Sequence, residues 1–231
     1  MRRVKIMIRF ITILLATTVS MLVPALAETE QEELVEKTRF TVEKLAAHSE
    51  FGTNVQSYLR KAKAIVVIPV LLKGGFFLGG EGGSGVLLTR AASGKWSYPS
   101  FVTMGGGSIG LQIGAQTSEL LLIILTDRGL ASVLNQKVKI GGEINAAIGP
   151  IGGGMEAATA GSLGADIISY SVAKGVFIGG SVEGGLIAQR DDWNSGYYKD
   201  DTVTPRGIVI EGRFGNPHAD PLRESLSLIG K

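Results

Sequence analysis

Residues 61–99, KAKAIVVIPVLLKGGFFLGGEGGSGVLLTRAASGKWSYP, decide how the rest of the chain is read. Ala64 to Val70 is an apolar run rich in β-branched residues, the pattern of a strand buried on both faces. Gly75 to Thr89 continues as a long coiled strand in which glycine holds many positions. Glycine inside a strand weakens it, and belongs where backbone bends sharply or approaches another surface closely. Part of this segment returns 100 positions later: Phe77-Leu78-Gly79-Gly80, Gly85 and Arg90 are matched by Phe177-Ile178-Gly179-Gly180, Gly185 and Arg190. The same device used twice predicts two equivalent corners of one sheet.

Upstream, Leu34, Val35, Thr38, Val42 and Leu45 recur at helical spacing and predict a helix over 28–48. Gly52-Thr53-Asn54 caps a second, shorter helix that ends on Arg60, Lys61 and Lys63, cations suited to a helix C-terminus. Downstream, the period changes to two. Strands are predicted over 64–70, 75–89, 96–103, 108–116, 119–125 and 139–148, with a short helix capped by Thr126-Asp127. Residues 163–171 and 176–190 read as a hairpin around Ala173-Lys174-Gly175, 204–211 as a last strand, and Phe214 onward as a surface tail. The fold class is therefore α+β: N-terminal helices, then a strongly curved, mostly antiparallel glycine-rich sheet or barrel. Nothing between the strands repeats as crossover helices, so a doubly wound sheet is not expected. Closure into a barrel or half-barrel removes sheet edges that invite aggregation.

The first 27 residues read as a signal peptide. Arg2, Arg3, Lys5 and Arg9 precede an apolar stretch from Phe10 to Val23, and Ala25-Leu26-Ala27 is a small-x-small cleavage site. The apolar stretch falls short of the roughly 20 residues that span a bilayer, which disfavours an uncleaved anchor. Export to the periplasm or cell envelope follows, with one domain over 28–212 and a tail over 213–231. The formal charge of +2 includes those four leader cations, so the mature chain stands at −2. Nucleic acid, which demands a strong basic face, is not an expected partner. Cysteine is absent, which removes disulfides, thiol nucleophiles and thiolate metal sites. Of 33 glycines, 27 fall between Gly74 and Gly185, without collagen period, which points to sheet rather than linker.

Catalytic chemistry finds little support. Gly105-Gly106-Gly107-Ser108-Ile109-Gly110 matches GxGxxG, but alternation follows it where a phosphate-binding helix is needed. Gly152-Gly153-Gly154 lacks the lysine of a phosphate loop. His48 and His218 lie outside the core region, and Glu81, Glu119, Glu143, Glu156, Asp166 and Glu183 read as rim or solvent-facing carboxylates. No enzyme activity and no cofactor are expected. Asp191 to Asp201 carries oxygen ligands without calcium-loop spacing and reads as a polar turn, with Asn194 bonded to its own backbone.

The cations that bear on membrane are Arg60, Lys61, Lys63, Lys73 and Lys174, around the start of the sheet and its repeat. At about 1 kcal/mol each near an anionic bilayer they supply roughly 5 kcal/mol. Strong membrane binding therefore needs an apolar contribution as well.

The chain resembles the SYLF domain family. The resemblance rests on Lys61-Ala62-Lys63-Ala64 through Pro69, Gly74-Gly75-Phe76, Gly79, Gly85-Val86, Trp96-Ser97, Pro99, Gly110-x-Gln112-x-Gly114 and Gly149-Pro150. Tyr170-Ser171, Lys174-Gly175, Asn194 and Tyr197-Tyr198 complete it, so residues 34–212 are covered. The resemblance implies phospholipid binding, with phosphoinositides bound by eukaryotic members and actin filaments by yeast ones. The first helix here is acidic where phosphoinositide-binding members begin basic, and no Src-homology-3 module is recognisable. What carries over is association with an anionic phospholipid or membrane surface. Actin is not an expected partner of an exported protein. The alternative is an envelope protein that binds a protein partner rather than lipid. An integral outer-membrane barrel fits poorly with the leading helices.

Overall fold

The computed structural model describes residues 28–48, 52–149, 164–173, 176–177 and 184–229. Helix α1 (Glu30–Ala47) opens on a capping box, in which the Thr29 hydroxyl accepts from Glu32 N–H and the Glu32 carboxylate accepts from Thr29 N–H. Its buried stripe is Leu34, Val35, Thr38, Val42 and Leu45, as the spacing predicts. Helix α2 (Gly52–Lys61) follows.

Two very long strands then dominate: β1 (Ala64–Thr89) and β2 (Ser100–Ile124), paired antiparallel along most of their length. The sequence breaks each into shorter strands. At Pro69, which lacks an amide hydrogen, a register shift between Ile68 and Leu71 absorbs the residue and the ladder resumes. A second shift lies between Gly75 and Phe77.

A straight 26-residue strand would span roughly 85 Å. Yet Arg90 N–H, just past the end of β1, donates to the carbonyl of Lys63, just before its start, at 2.8 Å. Lys73 and Glu81, within the strand, form an ion pair at 2.7 Å. A methyl built on Gly83 would collide with the Val70 carbonyl, and one on Gly85 with that of Val67. These four pairings share one centre near residue 77. The strand therefore doubles back on itself there, and its second half lies on the carbonyls of its first. Only glycine permits that approach.

The remaining described strands are β3 (Lys137–Lys139), β4 (Ala146–Ile148), β5 (Ile167–Ala173), β6 (Val176–Phe177) and β7 (Leu186–Gln189). The sheet runs β3-β7-β2-β5-β4, with β1 on β2 and β6 on β5, and curls into a half-barrel. Every pairing among these strands is antiparallel except β4 with β5. Alternate residues feed two cores. Ile65, Val67, Leu121 and Ile123 join the one facing α1 and α2; Val66, Ile68, Leu120, Leu122 and Ile124 join the other. Burial on both faces explains why these strands read as unbroken apolar runs.

Other helices follow or interrupt the strands: α3 (Asp127–Val133), α4 (Asp191–Tyr198), α5 (Pro205–Val209) and α6 (Asp220–Ile229). Four expectations are corrected by them and by the sheet. The stretch 204–211 holds a short helix over 205–209 and no strand: the Thr204 hydroxyl accepts from Gly207 N–H and Pro205 occupies the first turn, so a cap outweighs β-branched composition. Residues beyond Phe214 are not a surface tail, because α6 packs on α1 and buries Leu222 and Leu226. The strand over 139–148 is two short strands around a turn at Gly141, whose φ of 84° suits glycine. The polar turn expected over 191–201 is helix α4 as far as Tyr198, and Asn194 is fully buried, accepting from Phe101 N–H at 2.9 Å. The hairpin turn at Lys174-Gly175 and most of the second glycine corner lie outside the described residues, although Val172 pairs with Phe177.

Candidate functional site

The doubling of β1 brings its two ends together beneath the C-terminus of α2, and most of the chain's relevant cations converge there. The last carbonyls of a helix carry partial negative charge and lack intrahelical donors. Here Arg90 supplies donors, its guanidinium reaching Leu59 O at 3.2 Å and Arg60 O at 2.9 Å. The same side chain reaches Gly94 O at 3.4 Å in the β1–β2 turn and lies over the Trp96 ring. Arg90 thus ties helix, strand end and turn into one unit.

Around it, Arg60 and Lys61 are exposed in the last turn of α2. Lys63 is half-buried and pairs with Asp127 at 2.8 Å, the carboxylate being largely solvent-exposed. Lys73 lies away from this group, at the fold of β1, held by the well-buried Glu81. Lys174 lies outside the described residues. Of the five cations singled out from sequence, the structure therefore groups Arg60, Lys61 and Lys63 and sets Lys73 apart.

Beside the group opens a cleft of about 500 Å³ between the β1–β2 turn and the end of α5. Its wall includes Lys63, Arg90, Lys95 and Arg223, against Asp127 as its one carboxylate. Arg223 donates to Trp96 O at 3.0 Å and to Asp220 at 2.6 Å, and stacks over Tyr98 at 3.9 Å. Burial, together with hydrogen bonding to Asp220, raises the pKa of the Tyr98 phenol, so it remains a neutral hydroxyl at the cleft. Ser97, Ile208, Val209 and the exposed Ile210 complete much of the remainder. A second hollow of about 400 Å³, among α1, α2 and α6, is lined by Glu43, Gln56, Leu228 and neighbours, with no cation among the described residues.

Sequence reasoning missed Arg90, Lys95 and Arg223 as members of this group. Lys95 stands in a turn, and Arg223 belongs to α6. The available signal for α6 was Leu222, Leu226 and Ile229 at helical spacing after the Asn216-Pro217 cap.

The other candidates have structural partners. Asp166 is buried, not solvent-facing; its carboxylate accepts from Thr126, Arg128 and Asn145 N–H. Burial opposes its ionisation, but Arg128, Thr126 and the Asn145 amide together hold its pKa below the usual carboxylate range. Glu119 pairs with Lys44. His48 is the C-cap of α1, and His218 sits 3.4 Å from Glu28. Residues 105–110 lie within β2, so no helix N-terminus follows the GxGxxG pattern. Among the described residues no group of histidine and carboxylate side chains could hold a metal ion, and no helix is long and apolar enough to cross a membrane. Glu156, Glu183 and Gly152-Gly153-Gly154 lie outside them.

Known proteins share this sequence pattern. The chain is 35% identical over 175 residues to an SH3 domain-containing protein of Schizosaccharomyces pombe, covering 74% of this chain and 40% of that protein. It is 35% identical over 168 residues to LAS seventeen-binding protein 3 of Saccharomyces cerevisiae, covering 71% and 36%. It is 33% identical over 144 residues to SH3 domain-containing YSC84-like protein 1 of Homo sapiens, covering 62% and 42%. The chain thus spans about two fifths of the length of these relatives. The profile of the family described as "Ysc84: Las17-binding protein actin regulator" matches residues 105–229, from near the start of β2 to the end of α6 and over half of the chain, so the chain belongs to the Ysc84, or SYLF-domain, family.

Proposed function

We propose that this chain is a non-enzymatic lipid-binding protein, exported to the cell envelope after cleavage behind Ala27, that associates with anionic phospholipid surfaces. The observation that carries this reading is the cationic pole where α2, the ends of β1 and the β1–β2 turn meet, on a body whose charge without the leader is −2. Arg60, Lys61 and Lys63 form the outward part of the rim. Lys73, tied to Glu81, contributes less, and Lys174 completes the set drawn from the sequence.

A surface cation contributes about 1 kcal/mol near an anionic bilayer, so a few of them give only reversible, salt-sensitive attachment. Membership of the SYLF family supports lipid rather than nucleic acid as the partner. The relatives' names refer to Las17 binding and actin regulation, but neither is proposed for an exported chain.

Co-sedimentation of residues 28–231 with phosphatidylcholine vesicles, with and without phosphatidylglycerol, tests the reading. Binding only to the anionic vesicles, weakened by salt and by reversal of Lys61, Lys63 and Lys73 to glutamate, is expected. Undiminished binding by the triple variant discards the rim. Absence of vesicle binding together with recovery of one protein partner from envelope extract supports the partner-binding alternative.

A further inference from the structure

We propose that the cleft between the β1–β2 turn and α5 is a phosphate-binding site, and that its ligand is the phosphomonoester head group of an anionic lipid. The choice of lipid as the source rests on the membrane reading above; the phosphate chemistry rests on the cleft itself.

Four cations line this cleft, and they divide by mobility. The guanidinium groups of Arg90 and Arg223 are pinned by backbone carbonyls of Leu59, Arg60 and Trp96, and Arg223 also by the Asp220 carboxylate at 2.6 Å, so they need little further ordering. Lys63 and Lys95 carry compact ammonium charges on flexible stems, which suits point-charge contact with phosphate oxygens. Among the described residues Lys63 pairs with Asp127, whose side chain is 85% exposed. Exposed pairs contribute little, so a phosphate dianion can take the place of that carboxylate on Lys63 at small cost.

A second observation concerns Trp96, which lines the cleft and is 2% exposed. Its ring lies beside the Arg90 guanidinium on the cleft wall, so its emission reports on what binds there.

The apolar side of the cleft favours a lipid over a small phosphate. Ile208, Val209 and Ile210 form one wall, and Ile210 remains 43% exposed. A volume of about 500 Å³ also exceeds what a lone phosphate fills and accommodates a glycerol backbone beside it.

The test uses the mature full chain with Trp193→Phe, which leaves Trp96 as the sole tryptophan reporter. Its emission is followed during titration with phosphatidylcholine vesicles carrying phosphatidic acid, with vesicles carrying the diester phosphatidylglycerol, and with glycerol 3-phosphate. The Trp96 signal should change with phosphatidic acid, and binding should tighten as pH rises through the phosphate's second ionisation. Replacing Lys95 with glutamine should weaken it about fivefold, and Lys63→Gln with Lys95→Gln about 25-fold, at ~1 kcal/mol per cation. Asp127→Asn, which removes the competing carboxylate, should strengthen binding several-fold, a gain that misfolding cannot mimic. Phosphatidic acid binding that ignores all three variants overturns the cleft and leaves the membrane reading intact. A response to glycerol 3-phosphate without any vesicle binding overturns the lipid source and leaves the phosphate site. Equal response to diester and monoester vesicles overturns the monoester assignment.

Discussion

Gly85→Ala offers a direct measure of how closely β1 lies on itself. An added methyl would fall on the carbonyl oxygen of Val67, 2.8 Å from Ile68 Cγ1 and 3.0 Å from Val67 C. Ordinary Cβ contacts begin near 3.4 Å. Both neighbours are fully buried, so backbone from the two halves of the strand must separate by something near 1 Å. Overpacking of a close-packed interior costs about 1–3 kcal/mol, and collision with backbone rather than a flexible side chain belongs at the upper end. A loss of about 3 kcal/mol is expected, or roughly 6–12 °C in Tm for a domain of this size. Gly107→Ala is the matched control: it lies in β2, has no atom within 4 Å of the added methyl, and is absent from the positive-φ glycines. Removing an interior glycine there should stabilise by about 0.5 kcal/mol. Urea unfolding followed by tryptophan emission compares the two. If Gly85→Ala comes within 1 kcal/mol of the parent, the doubled strand is not packed as described.

Three further outcomes follow from buried contacts. Asn194→Ala removes the acceptor of Phe101 N–H and the donor to the Ser100 hydroxyl, and should cost about 2–3 kcal/mol by denaturant titration. Leu222→Ala should lose about 2–4 kcal/mol, whereas a residue on a surface tail would lose almost nothing. Asp166 has a depressed folded pKa, so its contribution is complete above the ordinary carboxylate value near 3.9 and is lost as pH falls below it through the folded value. Stability measured between pH 7 and pH 2 should fall less steeply in Asp166→Asn, which begins from a lower value at neutral pH.

How much of this was legible before the structure depends on whether the signal was local. Helix α1 announced itself through a single apolar stripe at helical spacing, and the apolar runs of β1 and β2 through continuous burial. The glycine block marked a sharp bend, yet glycine and Pro69 also read as breaks, so each long strand was divided. Nothing local distinguishes a strand that ends from one that bends and continues with a bulge. In Thr204-Pro205 the cap was present, but Val203, Ile208, Val209 and Ile210 carried a competing β-branched pattern. Asn194 shows a further limit: its partner, Phe101 N–H, lies 93 positions away and leaves no trace in its own neighbourhood.

The proposed site had the same limit for a deeper reason. Arg60, Lys61 and Lys63 are neighbours in sequence and were grouped on that ground. Arg90 and Lys95 join them only because β1 reverses near residue 77 and returns its far end to Lys63. Arg223 joins only because α6 docks beside the turn and donates to Trp96 O. The glycines that permit the reversal therefore also assemble the cationic pole, although Gly83 and Gly85 touch none of its charges in the contacts described. A partly destabilised Gly85→Ala variant that remains folded should accordingly lose phosphate affinity as the ends of β1 part, whereas Gly107→Ala should retain it. A coupling of that kind, read by the Trp96 signal at a temperature where both variants are folded, separates a site built by the strand reversal from a patch of cations that merely share a surface.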